Sequence, residues 1–255
     1  MLINVITAIC MATIVLAPIV VIIWGGRRFD WRVRWIGVGA LTFIGSQVIH
    51  LPLNAVLANF DIIGQTAPLS AQEAITLGLT AGLCEELMRA AVLTWWVTEI
   101  RDHNKASAYG LGHGGIEAVI IGVLGVFTLI NMIALQTMDL NALGLTPELL
   151  DQVKAQVAAY NSQPWWQPSI AVFERVMAMV NHLFMTVLVL TGLMRRQWGW
   201  IAAAVIWHTM INAVAVWLNQ HHGVIAAEGA LAVMTAGAAY GWWRARTGVL
   251  SGTPS

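Results

Sequence analysis

Charged residues are scarce in this sequence. They make up 10% of its 255 residues, whereas a soluble domain carries about 25%. Cysteine is scarcer still: only Cys10 and Cys84 are present, both within apolar runs, so no disulfide framework is expected. The formal net charge is zero, and no nucleic-acid partner is expected. The low charge therefore argues against an ordinary soluble domain.

Apolar residues dominate instead, at 58% of the chain. A membrane-spanning helix needs about 20 of them in a row, and runs of this length occupy residues 2–24, 35–58, 71–98, 107–136, 170–194, 197–219 and 224–243. The first run has no basic segment before it and is longer than the apolar part of a signal peptide, so we interpret it as a retained helix. Because the connections are short, residues 1–255 are predicted to form a single integral membrane domain.

The predicted fold class is thus all-α, a polytopic membrane bundle of about seven transmembrane helices. Ten basic residues lie in the loops on one side of this arrangement, and only Lys154 lies on the other. The basic side is expected to face the cytoplasm, which places the N-terminus outside and the C-terminus inside. The expected location is a bacterial or archaeal plasma membrane, with membrane lipid as a partner.

One extracytoplasmic loop, residues 138–169, is long enough to hold structure of its own. Thr146 followed by Pro147 is typical of a helix start, with a capping side chain and then proline in the first turn. Apolar residues then recur at helical spacing up to Tyr160. This pattern predicts an amphipathic helix that lies on the outer leaflet or covers the bundle.

Ionisable residues are placed inside the apolar runs, where each costs about 2.5–3.5 kcal/mol on insertion scales. Residues that share a helix face by their spacing are Glu85, Glu86 and Arg89; His113 and Glu117; Arg175 and His182; His208 and Asn212; and His50 and Asn54. Four helices deliver such groups to a similar depth, and the groups are expected to converge on the bundle interior. His50 is interpreted as an interhelical hydrogen-bonding residue.

These residue types suit the addition of water to a carbonyl. An ionised glutamate accepts a proton from water, histidine holds or shuttles that proton, and histidine or asparagine donates to an oxyanion. A zinc ion bound by His and Glu is an alternative, although no H-E-x-x-H motif is present. A proton-coupled transporter or channel is a further alternative, because Glu and His on neighbouring helices also form proton relays.

The ordered set of motifs resembles the YhfC-like family of glutamic intramembrane proteases, which is related to the CAAX prenyl endopeptidases and the PrsW proteases. The motifs, within about residues 40–220, are Glu85-Glu86-x-x-Arg89, Gly-x-Gly-His113-Gly-Gly-Ile-Glu117, Glu174-Arg175 with His182, and His208-x-x-x-Asn212. Arg89 comes one residue earlier than in the CAAX group, at the position where PrsW has lysine. The second motif combines features of both groups, since Tyr109 precedes His113 by four residues and Glu117 follows it by four.

The resemblance implies a glutamic-type endopeptidase that acts on a peptide or membrane protein with a membrane-embedded segment. It makes Glu85 the base that activates water, with Glu86 and Arg89 as its support. It makes His113 the residue that positions the water, with Glu117 or His182 as the alternative partner of the water, and His208 with Asn212 the donors to the oxyanion. Arg175 and His182 are supporting residues. No cofactor is expected, and zinc is disfavoured because Arg89 would repel a cation.

Overall fold

The computed structural model describes residues 2–29, 31–65 and 67–247. Over these ranges all regular structure is helical, with eight α-helices and one short 3-10 helix, Leu140–Leu143. The α-helices are α1 (Leu2–Phe29), α2 (Val33–Asn59), α3 (Ala71–Trp95), α4 (His103–Thr137), α5 (Pro147–Ser162), α6 (Gln167–Arg195), α7 (Trp198–His222) and α8 (Val224–Ala245). Each of the seven apolar runs coincides with one of them, which confirms the all-α polytopic fold class.

Six of the helices in the described ranges are long and apolar enough to cross a membrane: α1, α2, α4, α6, α7 and α8. The chain is an integral membrane protein. Helix α3 has the length of a spanning helix but carries four charged residues, all buried: Glu73, Glu85, Glu86 and Arg89. The number of spans and the orientation of the chain remain predictions.

Helix starts follow the local sequence. The Ser70 hydroxyl accepts a hydrogen bond from the Glu73 backbone amide, and the Glu73 carboxylate accepts one from the Ser70 amide, a reciprocal cap that begins α3. At α5 the Thr146 hydroxyl accepts from the Leu149 amide, with Pro147 in the first turn. The predicted start of the amphipathic helix is therefore confirmed.

The chain forms two compact units. The first comprises Met1–Pro18 and Ala118–Arg175. Its small core contains Cys10, Met11, Ile14 and Ala118. Helix α5 belongs to it, and its half-buried residues follow the predicted apolar stripe and end at Tyr160, whose hydroxyl donates to Thr7. The prediction of a single domain over the whole chain remains a prediction.

The second unit comprises Ile19–Glu117 and Val176–Ser255 and contains the larger core. Helix α3 packs between α2 and α7 within it. Glycines permit close helix crossings: a Cβ added at Gly39 on α2 would collide with the Tyr109 carbonyl oxygen on α4, and one added at Gly78 on α3 would collide with the Thr209 carbonyl oxygen on α7. These crossings bring the polar faces of the helices together.

Asn181 links three helices of the second unit. Its carbonyl oxygen accepts from the Trp207 indole on α7 at 2.9 Å, and its amide donates to the Thr235 hydroxyl on α8 at 2.9 Å. Asn181 directly precedes His182 on α6, and Trp207 directly precedes His208 on α7. The junction therefore fixes the relative height of two candidate site residues.

Candidate active site

The centre of the site is a buried ion pair on α3. Arg89 Nη1 donates to Glu86 Oε2 at 2.5 Å, and both side chains are fully buried. The other oxygen of Glu86, Oε1, lies 2.9 Å from His208 Nδ1 on α7. Because an ionised carboxylate only accepts hydrogen bonds, Nδ1 of His208 carries the proton. In the neutral ring the lone pair is then on Nε2.

Glu85 lies beside this pair and uses its two oxygens differently. Oε1 accepts a hydrogen bond from Gln47 Nε2 on α2 at 3.1 Å. Oε2 lies 3.0 Å from His113 Nε2 on α4 and 4.0 Å from His208 Nε2. Glu85 is itself buried. One of its oxygens is therefore held by α2, and the other faces two histidines.

A second branch runs from Arg89 to Glu117. Arg89 Nη2 lies 3.1 Å from His182 Nδ1, and His182 Nε2 lies 2.7 Å from Glu117 Oε2. Arginine only donates, so His182 Nδ1 is the acceptor and His182 Nε2 is the donor to Glu117. The Glu117 side chain is 20% exposed, more than that of any other acid in the cluster. Both ring nitrogens of His182 are thus engaged.

The structure brings together most of the residues singled out from the sequence: Glu85, Glu86, Arg89, His113, Glu117, His182 and His208. Asn212 is half-buried, one helical turn beyond His208 on α7. Arg175 belongs to the first unit, where it pairs with Glu174. The catalytic roles assigned to all of these residues, and the supporting role of Arg175, remain predictions.

Gln47 is a contact of the site that the sequence did not reveal. A single glutamine within an apolar run carries no distinctive signal. One signal could have indicated it: Gln47 lies three residues before His50 and seven before Asn54, so the three polar residues share one face of α2.

The donor atoms fit a metal ion. Glu85, His113 and His182 are all buried, and each offers a ligand atom within 4.8 Å of the other two. Two histidines and one carboxylate are a usual set of zinc ligands. The expectation that the site needs no cofactor therefore has no support in the structure.

A family of membrane proteins matches most of this chain. The family model described as YhfC intramembrane metalloprotease matches residues 13–235. The uncharacterized membrane protein YhfC of Bacillus subtilis (strain 168) is 24% identical over 230 residues, which cover 87% of this chain and 86% of that protein. No solved structure matches the chain.

Proposed function

Because the chain belongs to the YhfC intramembrane metalloprotease family, we propose that it is a metal-dependent endopeptidase of the membrane interior. The family supports an intramembrane protease, and hence a peptidase, over the transporter alternative. The proposed substrate is a peptide or membrane protein, cut in or next to its membrane-embedded segment. The observation that carries the metal dependence is the group of buried Glu and His donors around Glu85 Oε2.

The hydrogen-bond pattern favours Glu85, His113 and His208 as the metal ligands. His208 donates from Nδ1 to Glu86 and keeps the Nε2 lone pair on the side of Glu85. A ligating histidine commonly donates its other ring N–H to a carboxylate in this way. His113 Nε2 lies against the same Glu85 oxygen, and to bind a cation through Nε2 the neutral ring must carry its proton on Nδ1.

His182 is less suited to be a ligand, although it lies within the donor group. Its Nδ1 accepts from Arg89, which leaves the proton on Nε2, facing Glu117. To bind a cation through Nε2, His182 would have to carry its proton on Nδ1, against the N–H of Arg89. We therefore assign His182 to holding Arg89 and Glu117 in place.

A zinc ion held by these ligands would lower the pKa of water and polarise the scissile carbonyl. Glu117, partly exposed and held by His182, is the proposed acceptor of the proton from the attacking water. Asn212 is the proposed amide donor to the developing oxyanion. The base role assigned to Glu85 from the sequence passes to Glu117 in this scheme, because Glu85 becomes a ligand.

The test combines cleavage of a library of membrane-segment peptides with measurement of zinc affinity, using purified protein in detergent. Wild type should lose cleavage on exhaustive chelation and regain it with one equivalent of Zn²⁺. Glu85→Gln should lose cleavage and bind zinc much more weakly, because only His113 and His208 remain as ligands. Glu117→Gln should keep zinc but cleave at least about 10²-fold more slowly, the usual loss with a general base. Glu148→Gln, on the exposed surface of α5, is the matched control.

The two histidines provide a second contrast. His208→Gln should weaken zinc binding more than His182→Gln does, because only His208 presents a lone pair towards Glu85. Full cleavage by the wild type after exhaustive chelation would contradict the metal-dependent scheme and return Glu85 to the role of base in a glutamic-type mechanism.

A further inference from the structure

Three polar side chains lie on one face of α2 and lead to the site. Gln47, His50 and Asn54 are spaced three and four residues apart, and all three are half-buried. We name them the α2 polar file. Polar groups within membrane helices are costly and usually serve a function. The file contacts the site at one point, where Gln47 meets Glu85.

The hydrogen bonds of the file have a fixed direction, set by Glu85. The Gln47 amide nitrogen donates to Glu85 Oε1 at 3.1 Å, so its carbonyl oxygen turns to His50. His50 Nδ1 lies 3.0 Å from that oxygen and must donate to it. The remaining ring nitrogen, Nε2, then accepts from the Asn54 amide at 3.0 Å.

The far end of the file is anchored to the helix that carries Glu85. Thr80 on α3 donates to the Asn54 carbonyl oxygen at 2.8 Å. At the near end, the Gln47 amide nitrogen also lies 3.3 Å from the Ser46 hydroxyl. The Gln47 amide nitrogen therefore has two partners, Ser46 and Glu85, and its oxygen has one, His50. These contacts hold the N–H that donates to Glu85 in one orientation.

We propose that Gln47 is a positioning residue for Glu85. By holding Oε1, it fixes the rotation of the carboxylate so that Oε2 is the oxygen presented to His113 and His208. Gln47 contacts neither substrate nor metal in this proposal, which rests on the proposed function. His50 supports it by keeping the Gln47 amide from turning its carbonyl oxygen towards Glu85.

The experiment measures zinc affinity by competition with a chelator. Gln47→Leu removes the donor to Oε1 and should weaken zinc binding about 10–100-fold, the usual effect of losing a partner that orients a ligand. His50→Phe leaves Gln47 in place and should cause a smaller loss; it carries the test if Gln47→Leu does not fold. Gln136→Leu is the matched control, because Gln136 has side-chain hydrogen bonds to Asn4 and Asn161 in the first unit.

A double-mutant cycle separates positioning from general structural support. In a Glu85→Leu background the two histidines still bind zinc weakly but no carboxylate is left to orient, so Gln47→Leu should cause no further loss of this remaining affinity. An equal loss in both backgrounds would overturn the proposal, as would wild-type affinity in Gln47→Leu. A merely structural role would give that equal, additive loss.

The melting temperatures of wild type, Gln47→Leu, Glu85→Leu and the double variant are also measured in the presence of chelator. Under this condition neither metal nor substrate takes part. Coupling between positions 47 and 85 in the melting temperature is expected, because the hydrogen bond exists without metal. If wild type binds no zinc and cleaves nothing, the proposed function fails, and the melting cycle alone decides whether Gln47 orients Glu85. Additive melting shifts in that case would overturn the positioning role as well.

Discussion

The Arg89 side chain contacts two residues, and both contacts depend on the positive charge of its guanidinium. It neutralises Glu86 and donates to His182, which in turn donates to Glu117. A buried ion pair of this kind contributes little net stability over an apolar replacement of both partners. Its role here is to set geometry. One guanidinium holds both the Glu86 carboxylate, which contacts His208, and the His182 imidazole, which contacts Glu117.

Removing Arg89 alone should therefore be costly. Arg89→Ala leaves Glu86 without its cation in a fully buried position, and loss of one partner of such a pair costs about 3–5 kcal/mol. Thermal unfolding in detergent measures the loss. The double variant Arg89→Met with Glu86→Gln is the control. It should be more stable than Arg89→Ala, because it leaves no buried charge without a partner. A melting temperature of Arg89→Ala equal to wild type would contradict the pairing.

At the scale of the helices, the α2–α4 crossing determines where His113 lies. Gly39 on α2 meets the Tyr109 carbonyl oxygen on α4, and Tyr109 lies one turn before His113. A methyl group at this crossing must push the two backbones apart, because a carbonyl oxygen in a helix cannot turn aside. The distance from His113 to Glu85 then increases.

Gly39→Ala and Gly37→Ala form a matched pair on α2. A Cβ at Gly37 meets nothing within 4 Å, so Gly37→Ala should be neutral or stabilising by up to about 1 kcal/mol through helix propensity. Gly39→Ala should lower both the melting temperature and the cleavage rate. Equal melting temperatures for the two variants would show that the α2–α4 crossing accommodates a methyl group at residue 39 without moving the helices apart.

The sequence predicted the helices and much of the candidate site for physical reasons. Apolar runs reveal membrane helices by length, and the spacing of Glu85 and Glu86 from Arg89, four and three residues, places each acid beside the arginine whatever α3 packs against. The contact of Gln47 with Glu85 depends on how α2 packs on α3, which no pattern within one helix encodes. Which ring nitrogen of His182 and of His208 donates depends likewise on a partner on α3, Arg89 or Glu86, and could not be predicted from the sequence.

At the scale of the whole molecule, the position of α3 decides the topology. With α3 as a seventh span, a tag fused after Ser255 and tags within 27–34 should be cytoplasmic, and a tag near residue 162 should be outside. Six spans would place both termini on one side. Labelling of the tags in intact and permeabilised cells measures this, and an extracytoplasmic C-terminus would contradict the seven-span arrangement.

The Asn181 junction bears on how the molecule responds to its bilayer. Helices in a bilayer of mismatched thickness tilt or kink, and packed helices can also slide past one another. Sliding α6 along α7 by one residue, about 1.5 Å, would pull the Trp207 indole from the Asn181 oxygen, and Asn181 is also tied to α8. We therefore expect thickness mismatch to tilt α6, α7 and α8 as one group. His182 and His208, the next residues along their helices, should then keep their relative height in thin and thick membranes alike.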